Sequence, residues 1–189
     1  VERDLDLIAP AARRGQAAVF VSVTTLDGAL ARKLEPRAAA PQRRLLAVRR
    51  LAEAGVPVGV NVAPIIPFVN EPEIERIAEA AAAAGASSLH YTVLRLPWEV
   101  APLFRQWLDQ HLPERAARVM ARVQEMRGGK DYDADFASRM RGSGPWAELI
   151  RQRIDKAAQR HGLARRAPPL DASRFRPPAA ADDRQPSLF

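Results

Sequence analysis

Three short β-branched segments alternate with helical patterns in the first hundred residues, and this alternation constrains the fold more than any other feature. The predicted strands are residues 18–25, 56–63 and 88–96, and the helices between them are residues 42–54 and 71–84. Strands that alternate with helices of this length imply right-handed βαβ units and a parallel sheet. The predicted fold class is therefore α/β.

The flanking segments complete the predicted order. A helix is expected from Arg3 to Arg14, interrupted or ended near Pro10, and a turn at Leu26-Asp27-Gly28 is expected to lead into a loop with Pro36 and Pro41. After the third strand the pattern becomes helical. The predicted helices there are residues 100–112, 114–126 and 145–161.

The domain prediction follows from these patterns and from composition. From Ala167 the chain is rich in proline, alanine and charge, which cannot bury enough apolar area to fold alone. We predict a sheet domain at residues 1–112, a helical extension at 113–166 and a disordered tail at 167–189. Three parallel strands cannot close a barrel, so the missing partner is expected before Val1, where no methionine starts the chain.

Each predicted strand has one aliphatic face and one small or polar face, because side chains alternate across a strand. Val21, Val23 and Val60 are expected to lie under helices, whereas Ser22, Thr24 and Asn61 are expected to share a cavity. Polar groups near the carboxyl ends of parallel strands form ligand sites in barrels. Alternatively, these polar side chains bond one another inside a small barrel.

Composition limits the classes of function. The net charge is +7 and all but three of the 29 basic residues are arginine, which favours a polyanion such as nucleic acid unless it reflects genome base composition. No cysteine occurs, which excludes disulfides and thiolate-held metals within this chain. No apolar run approaches the roughly 20 residues of a membrane span, so we expect a cytoplasmic protein without a membrane partner.

The loop after the first predicted strand carries Lys33-Leu34-Glu35-Pro36-Arg37, and the next predicted helix begins with Gln42-Arg43-Arg44. A carboxylate and a guanidinium could pair above the sheet, or grip the amino and carboxylate groups of an amino-acid-like ligand. A solvated run of surface charge has the same composition. The residues alone leave both interpretations open.

A series of motifs continues this pattern in a fixed order. They are Ser22-Val23-Thr24-Thr25-Leu26-Asp27, Leu34-Glu35-Pro36-Arg37, Pro41-x-x-Arg44-Leu45, Ala54-Gly55-Val56-Pro57-Val58-Gly59-Val60, Ala63-Pro64-Ile65-Ile66-Pro67, Leu94-Arg95-Leu96-Pro97, Phe104-x-x-Trp107-Leu108, Arg127-Gly128-Gly129-Lys130 and Phe136-x-x-Arg139-Met140-Arg141-Gly142. In order and spacing they resemble the radical S-adenosylmethionine proteins of the spore photoproduct lyase-like, DNA repair photolyase group. The resemblance covers roughly residues 1–163.

The resemblance implies the carboxy-terminal half of a (βα)6 partial barrel that holds S-adenosylmethionine beside a [4Fe-4S] cluster and generates a 5′-deoxyadenosyl radical. Ser22 and Thr24 would contact the cofactor, and Glu35 with Arg44 would border its methionine end. The ribose or adenine would be flanked by Asn61, Ala63, Pro64 and Ile65. Arg95 is a candidate contact for cofactor or substrate.

The departure from this family is the absent Cys-x-x-x-Cys-x-x-Cys loop, which in the family follows the first strand and precedes the region present here. We therefore expect a fragment that is inactive alone. One alternative is a non-catalytic basic scaffold that binds nucleic acid through the arginines of residues 99–176. Another is an aldolase-like barrel fragment, which would need a Schiff-base lysine on a strand; none of Lys33, Lys130 and Lys156 lies on one.

The last five residues are a separate candidate site. Gln185-Pro186-Ser187-Leu188-Phe189 places two large apolar residues at the end of a predicted disordered tail. This segment resembles the Gln-Leu-Ser-Leu-Phe type of peptide that binds the DNA polymerase sliding clamp, with Pro186 in place of leucine. It predicts a partner in replication or repair, independently of the sheet.

Overall fold

The computed structural model describes residues 1–176, in which helices alternate with the three strands of one parallel sheet. The strands are β1 (Val19–Ser22), β2 (Val58–Ile65) and β3 (Ser88–Val93), in spatial order β1-β2-β3. The helices in chain order are α1 (Leu5–Arg13), α2 (Gly28–Leu34), α3 (Pro41–Glu53), α4 (Ile74–Ala83), α5 (Val100–His111), α6 (Pro113–Glu125) and α7 (Gly144–Arg160). The α/β prediction is confirmed.

Local sequence explains most of the helix boundaries. Helices α3 and α6 begin at Pro41 and Pro113, where the missing proline N–H costs nothing because the first turn has no acceptor for it. Helices α3 and α4 are followed by Gly55 and Gly85 in the left-handed conformation, with φ of 74° and 89°. That conformation ends a helix at little cost only when the residue lacks a Cβ.

Several sequence predictions differ from the structure, including the bounds of β2 and β3, which were predicted as residues 56–63 and 88–96. The segment after Gly28 is helix α2 and not a loop, because the Asp27 carboxylate accepts hydrogen bonds from the N–H groups of Ala29 and Leu30 and caps the helix. Helix α1 continues through Pro10 to Arg13. Strand β1 ends at Ser22 and not at residue 25.

One face of the sheet is covered by helices, as the alternation predicts. The side chains of Val23, Val58, Val60 and Val62 are almost completely inaccessible, and Val21 packs against the same core. Helices α1, α3, α4 and α7 contribute the other apolar side chains of this core. Helices α5 and α6 form a second core around Leu108.

The two edges of the sheet differ. On the β3 edge, the N–H of Leu89 donates to the carbonyl of Ala164 at 2.9 Å, and the N–H of Val93 donates to Met140 at 3.0 Å. On the β1 edge, the N–H groups of Val19 and Val23 bond to the β2 side, so those of Phe20 and Ser22 point away from β2. Nothing in residues 1–176 accepts a hydrogen bond from those two N–H groups.

The predicted tail begins within the described part of the chain. Residues 167–176 contain no helix or strand, and the N–H of Asp171 bonds to the carbonyl of Gly15 at 2.7 Å. The clamp-binding candidate at residues 185–189 lies outside the described residues. Across residues 1–176, no helix combines the length and the apolar character that crossing a membrane requires.

Candidate functional site at the carboxyl ends of the strands

A polar cluster joins three predicted site residues just beyond the end of β1. The Thr24 hydroxyl lies 2.9 Å from Oε2 of Glu35 and 3.1 Å from the carbonyl oxygen of Ala63. The same Glu35 oxygen accepts a hydrogen bond of 2.9 Å from Nη2 of Arg44. Because one oxygen of Glu35 takes both contacts, its Oε1 has no protein donor within the described residues.

Arg44 is the residue that ties this cluster to the sheet. Its Nη1 donates to the carbonyl of Ser22 at 3.0 Å and its Nε donates to the carbonyl of Ala39 at 2.8 Å. All three guanidinium nitrogens are therefore engaged, which fixes the Glu35 carboxylate in one position. The sequence left open whether these charges pair or are solvated; the structure pairs them.

Two residues that the sequence analysis missed hold the loops around the cluster. The side chain of Asn70, only 1% exposed, donates to the carbonyls of Thr24 and Pro64 at 2.8 Å each and accepts from the N–H of Ile66. Glu73 accepts from the Thr25 hydroxyl and from the N–H of Leu26. The available signal for Asn70 was its position directly after the apolar run of residues 65–69, where a polar side chain must find a partner. Glu73 follows in an acidic segment and carried no such signal.

The second face of the sheet carries no helix in the described residues. Ser22, Asn61 and His90 lie side by side in register on it, and Phe20 is 46% exposed. The Phe20 ring covers Gly59 so closely that a Cβ there would lie 2.4 Å from it. Glycine is required at this point because the ring lies directly on the strand.

A shallow pocket of about 280 Å³ opens at the carboxyl ends of β2 and β3. It is lined by Ala63, Pro64, Thr92 and Arg95, among others, so three predicted site residues share it. The Ala63–Pro64 peptide bond is cis. Ile65 does not line this pocket, because its side chain is completely buried in the core.

Two titratable residues of β3, His90 and Tyr91, lie next to each other in the sequence. Desolvation, helped by the nearby charge of Arg165, lowers the pKa of His90, whose Nε2 lies 3.2 Å from the Ser88 hydroxyl. Desolvation raises the pKa of Tyr91, which faces the helix side under Arg165. They lie on opposite faces of the sheet and cannot act together.

The arrangement presents one free carboxylate oxygen, one amide and a cis-proline loop around an open surface. Such groups recognise an ammonium, hydroxyl or aromatic ligand through hydrogen bonds and contact. Among residues 1–176, no group of three or more His, Cys, Asp or Glu side chains could hold a metal ion.

Comparisons with known proteins give relatives without an assigned activity. An uncharacterized protein of Mycobacterium tuberculosis and one of Mycobacterium bovis are each 29% identical over 175 residues, which is 89% of this chain and 47% of theirs. An uncharacterized protein of Acidianus two-tailed virus is 43% identical over 67 residues, or 35% of this chain and 22% of its own length. The chain spans about half the length of the mycobacterial proteins. No family model and no solved structure matches it.

Proposed function

We propose that this chain is the carboxy-terminal half of a radical S-adenosylmethionine barrel, and that the Thr24–Glu35–Arg44 cluster holds the methionine end of the cofactor. The observation that carries the proposal is the fixed Glu35 carboxylate with a free Oε1 beside an open, polar sheet face. Ligand sites of parallel α/β folds lie at this end of the strands.

The cluster fits one end of S-adenosylmethionine. Oε1 of Glu35 would accept from the ammonium group, while Arg44 and Thr24 hold the other carboxylate oxygen. The Asn61 amide offers a donor and an acceptor for ribose hydroxyls. When bound, the cofactor would supply radical chemistry, with the reducing electron coming from outside this chain.

The residues present do not fit the [4Fe-4S] cluster. The chain has no cysteine, and such clusters are held by cysteine thiolates. The proposal therefore requires that the ligands come from another part of a longer protein, and the relatives of about twice this length agree with such an arrangement. The unpaired N–H groups of Phe20 and Ser22 provide the edge on which a further strand would pair.

The test begins with the reading frame upstream of Val1. The longer protein is purified without oxygen, reconstituted with iron and sulfide, and assayed with dithionite for 5′-deoxyadenosine. We expect cleavage by the longer protein and none by the 189-residue chain. Glu35→Gln should lower kcat/KM by about tenfold or more, because a charged hydrogen bond becomes a neutral one.

The matched control is Glu53→Gln, which removes the same charge from an exposed position on α3; its kcat/KM should stay within about twofold. An upstream frame without a three-cysteine loop would overturn the proposal. So would a [4Fe-4S] absorption band in the reconstituted 189-residue chain, or equal kcat/KM for the two variants.

The alternative is a non-catalytic scaffold that binds nucleic acid. It is favoured by the net charge of +7 and by exposed aromatic rings next to arginines, such as Phe136 under Arg139. Under this alternative the longer protein binds nucleic acid with a steep salt dependence and releases no 5′-deoxyadenosine. The assay above separates the two functions.

A further inference from the structure

Three arginines lie on segments next to the carboxyl end of β3, and no carboxylate pairs with them in the described residues. Arg95 follows β3, Arg127 follows α6, and Arg139 lies on the loop that joins α6 to α7. Each has a buried Nε with no hydrogen-bond partner. None of the three forms a salt bridge within residues 1–176.

Arg127 is the most unusual of the three, because only 2% of it is exposed. Its Nη2 donates to the carbonyl of Leu94 at 2.7 Å and its Nη1 donates to the carbonyl of Ser138 at 3.2 Å. Burial is the main cause that lowers its pKa, and the charge of Arg95 lowers it further. A buried charge that bonds only to neutral acceptors lowers the stability of the fold, unless a further partner also bonds to the charged group.

The other two arginines are held in place by aromatic rings. The Arg95 guanidinium lies 5.7 Å from the centre of the Tyr132 ring and donates to its hydroxyl at 3.1 Å. The Arg139 guanidinium lies 3.5 Å from the centre of the Phe136 ring, and 81% of Phe136 is exposed. Stacking on rings orients a guanidinium while leaving its N–H groups free for an anion.

The acidic side chains of the same loop, Asp131 and Asp133, bond to other groups and not to these three arginines. Asp131 pairs with Arg105 through both carboxylate oxygens. Asp133 influences Arg127 only through its charge and bonds to the Ser138 hydroxyl and to the N–H of Asp135. Within residues 1–176, no carboxylate therefore lies within salt-bridge distance of the three arginines, although the charge of Asp133 acts on Arg127. Arg95 also lines the open pocket with Ala63 and Pro64.

We propose that Arg95, Arg127 and Arg139 form a binding site for a phosphate group, with the exposed aromatic side chains beside it as a stacking surface for an attached base. Planar guanidinium groups match phosphate oxygens in pairs. Aromatic rings next to phosphate contacts bind bases without regard to sequence. The site uses none of Thr24, Glu35 and Arg44, although Arg95 is also a residue that the family resemblance assigns to cofactor or substrate.

Calorimetric titration of the 189-residue chain at low salt tests the site with inorganic phosphate, adenosine monophosphate and a single-stranded oligonucleotide. Binding of phosphate and the mononucleotide identifies a site for free nucleotides. Binding of the oligonucleotide with no measurable heat from the small ligands identifies a site for a nucleic-acid strand. Either result supports the proposal, and the absence of binding to all three overturns it.

The variants are Arg95→Gln and Arg139→Gln, with Arg76→Gln on α4 as the control. Arg76 is exposed and makes no hydrogen bond or salt bridge in the described residues, so the control removes the same charge elsewhere. We expect each test variant to weaken binding by about tenfold and the control by less than about twofold, because a charged hydrogen bond is lost only in the former.

Arg127→Gln is the fourth variant, and its thermal unfolding is measured alone and with phosphate. Wild-type protein should gain stability with phosphate by mass action, whereas a folded Arg127→Gln should gain none. If Arg127→Gln does not fold, the binding measured with Arg95→Gln and Arg139→Gln decides whether the phosphate site exists. Equal weakening by Arg76→Gln and the test variants would overturn the proposal and leave only attraction by net charge.

Discussion

The two edges of the sheet differ in what bonds to the backbone of their outer strands. The β3 edge is covered by the chain itself, at Ala164 beyond α7 and at Met140 in the preceding loop. Among the residues that the structure describes, only the Arg44 side chain bonds to the β1 edge, at the carbonyl of Ser22. An edge with unpaired N–H groups next to an exposed aromatic ring is a place where another strand pairs. Within residues 1–176, the β3 edge is thus covered and the β1 edge is open.

The largest effect is expected from α7, which packs on the β3 side. Ile154→Ala removes a completely buried side chain from the main core. We expect the free energy of unfolding to fall by about 3 kcal/mol, from lost burial and from the cavity left behind. Urea denaturation measures this change. A loss below about 1 kcal/mol would mean that α7 is not part of the sheet's core.

The next effect concerns the ion pairs that join α7 to α4. Arg153 contacts Glu71, which is almost buried, and donates to Glu75 at 2.8 Å and 2.7 Å. Arg153→Ala should cost about 2 kcal/mol at pH 7, because it leaves the Glu71 carboxylate without its cation. Lys156→Ala, on the exposed side of the same helix, is the control and should cost less than about 0.5 kcal/mol.

The effect of Arg153→Ala should depend on pH. Hydrogen bonds from Arg153 are the main cause that lowers the pKa of Glu75 below its ordinary value of 4.5. A carboxyl group whose pKa is lower in the folded state contributes stability above the unfolded pKa, and this contribution is lost as pH falls through the folded pKa. The difference between wild type and variant should therefore be full at pH 6–7 and shrink below pH 4.5. A constant difference would contradict this assignment.

Hydrogen exchange compares the two edges directly. The amides of Leu89 and Val93 donate to Ala164 and Met140, whereas those of Phe20 and Ser22 have no acceptor in the described residues. We expect the first pair to exchange at least about tenfold more slowly relative to their intrinsic rates. Equal protection at Phe20 would show that the β1 edge is covered, and a second copy of the chain would then be sought by sedimentation.

The smallest effect is expected on the open side. Phe20→Ala removes a ring that is about half exposed and packs on Gly59 and His90. We expect a loss of about 1 kcal/mol, less than for Ile154→Ala although more atoms are removed, because much of the ring is already in water. A loss as large as that of Ile154→Ala would mean that the open face is part of a packed core.

The sequence predicted the elements whose signals are local. The valines of β1 and β2 lie under helices because side chains alternate in a strand, and the helices end at Gly55 and Gly85 because those glycines adopt positive φ. Helix α2 was missed because Gly28 and Pro36 look like loop residues and only the Asp27 cap stabilises the first turn. In the candidate site, Glu35 and Arg44 were named as a pair, but Asn70 was not.

The amino-acid sequence by itself determined the order of helices and strands, the aliphatic face of the sheet and the residue types at the strand ends. These depend on the periodicity of side chains and on the conformational limits of glycine and proline. Only the tertiary structure decided that Arg44 bonds to the Ser22 carbonyl, that Ile65 is buried and that Ala164 covers β3. Those contacts join residues far apart in the chain, and their partners are fixed by the packing of the whole fold.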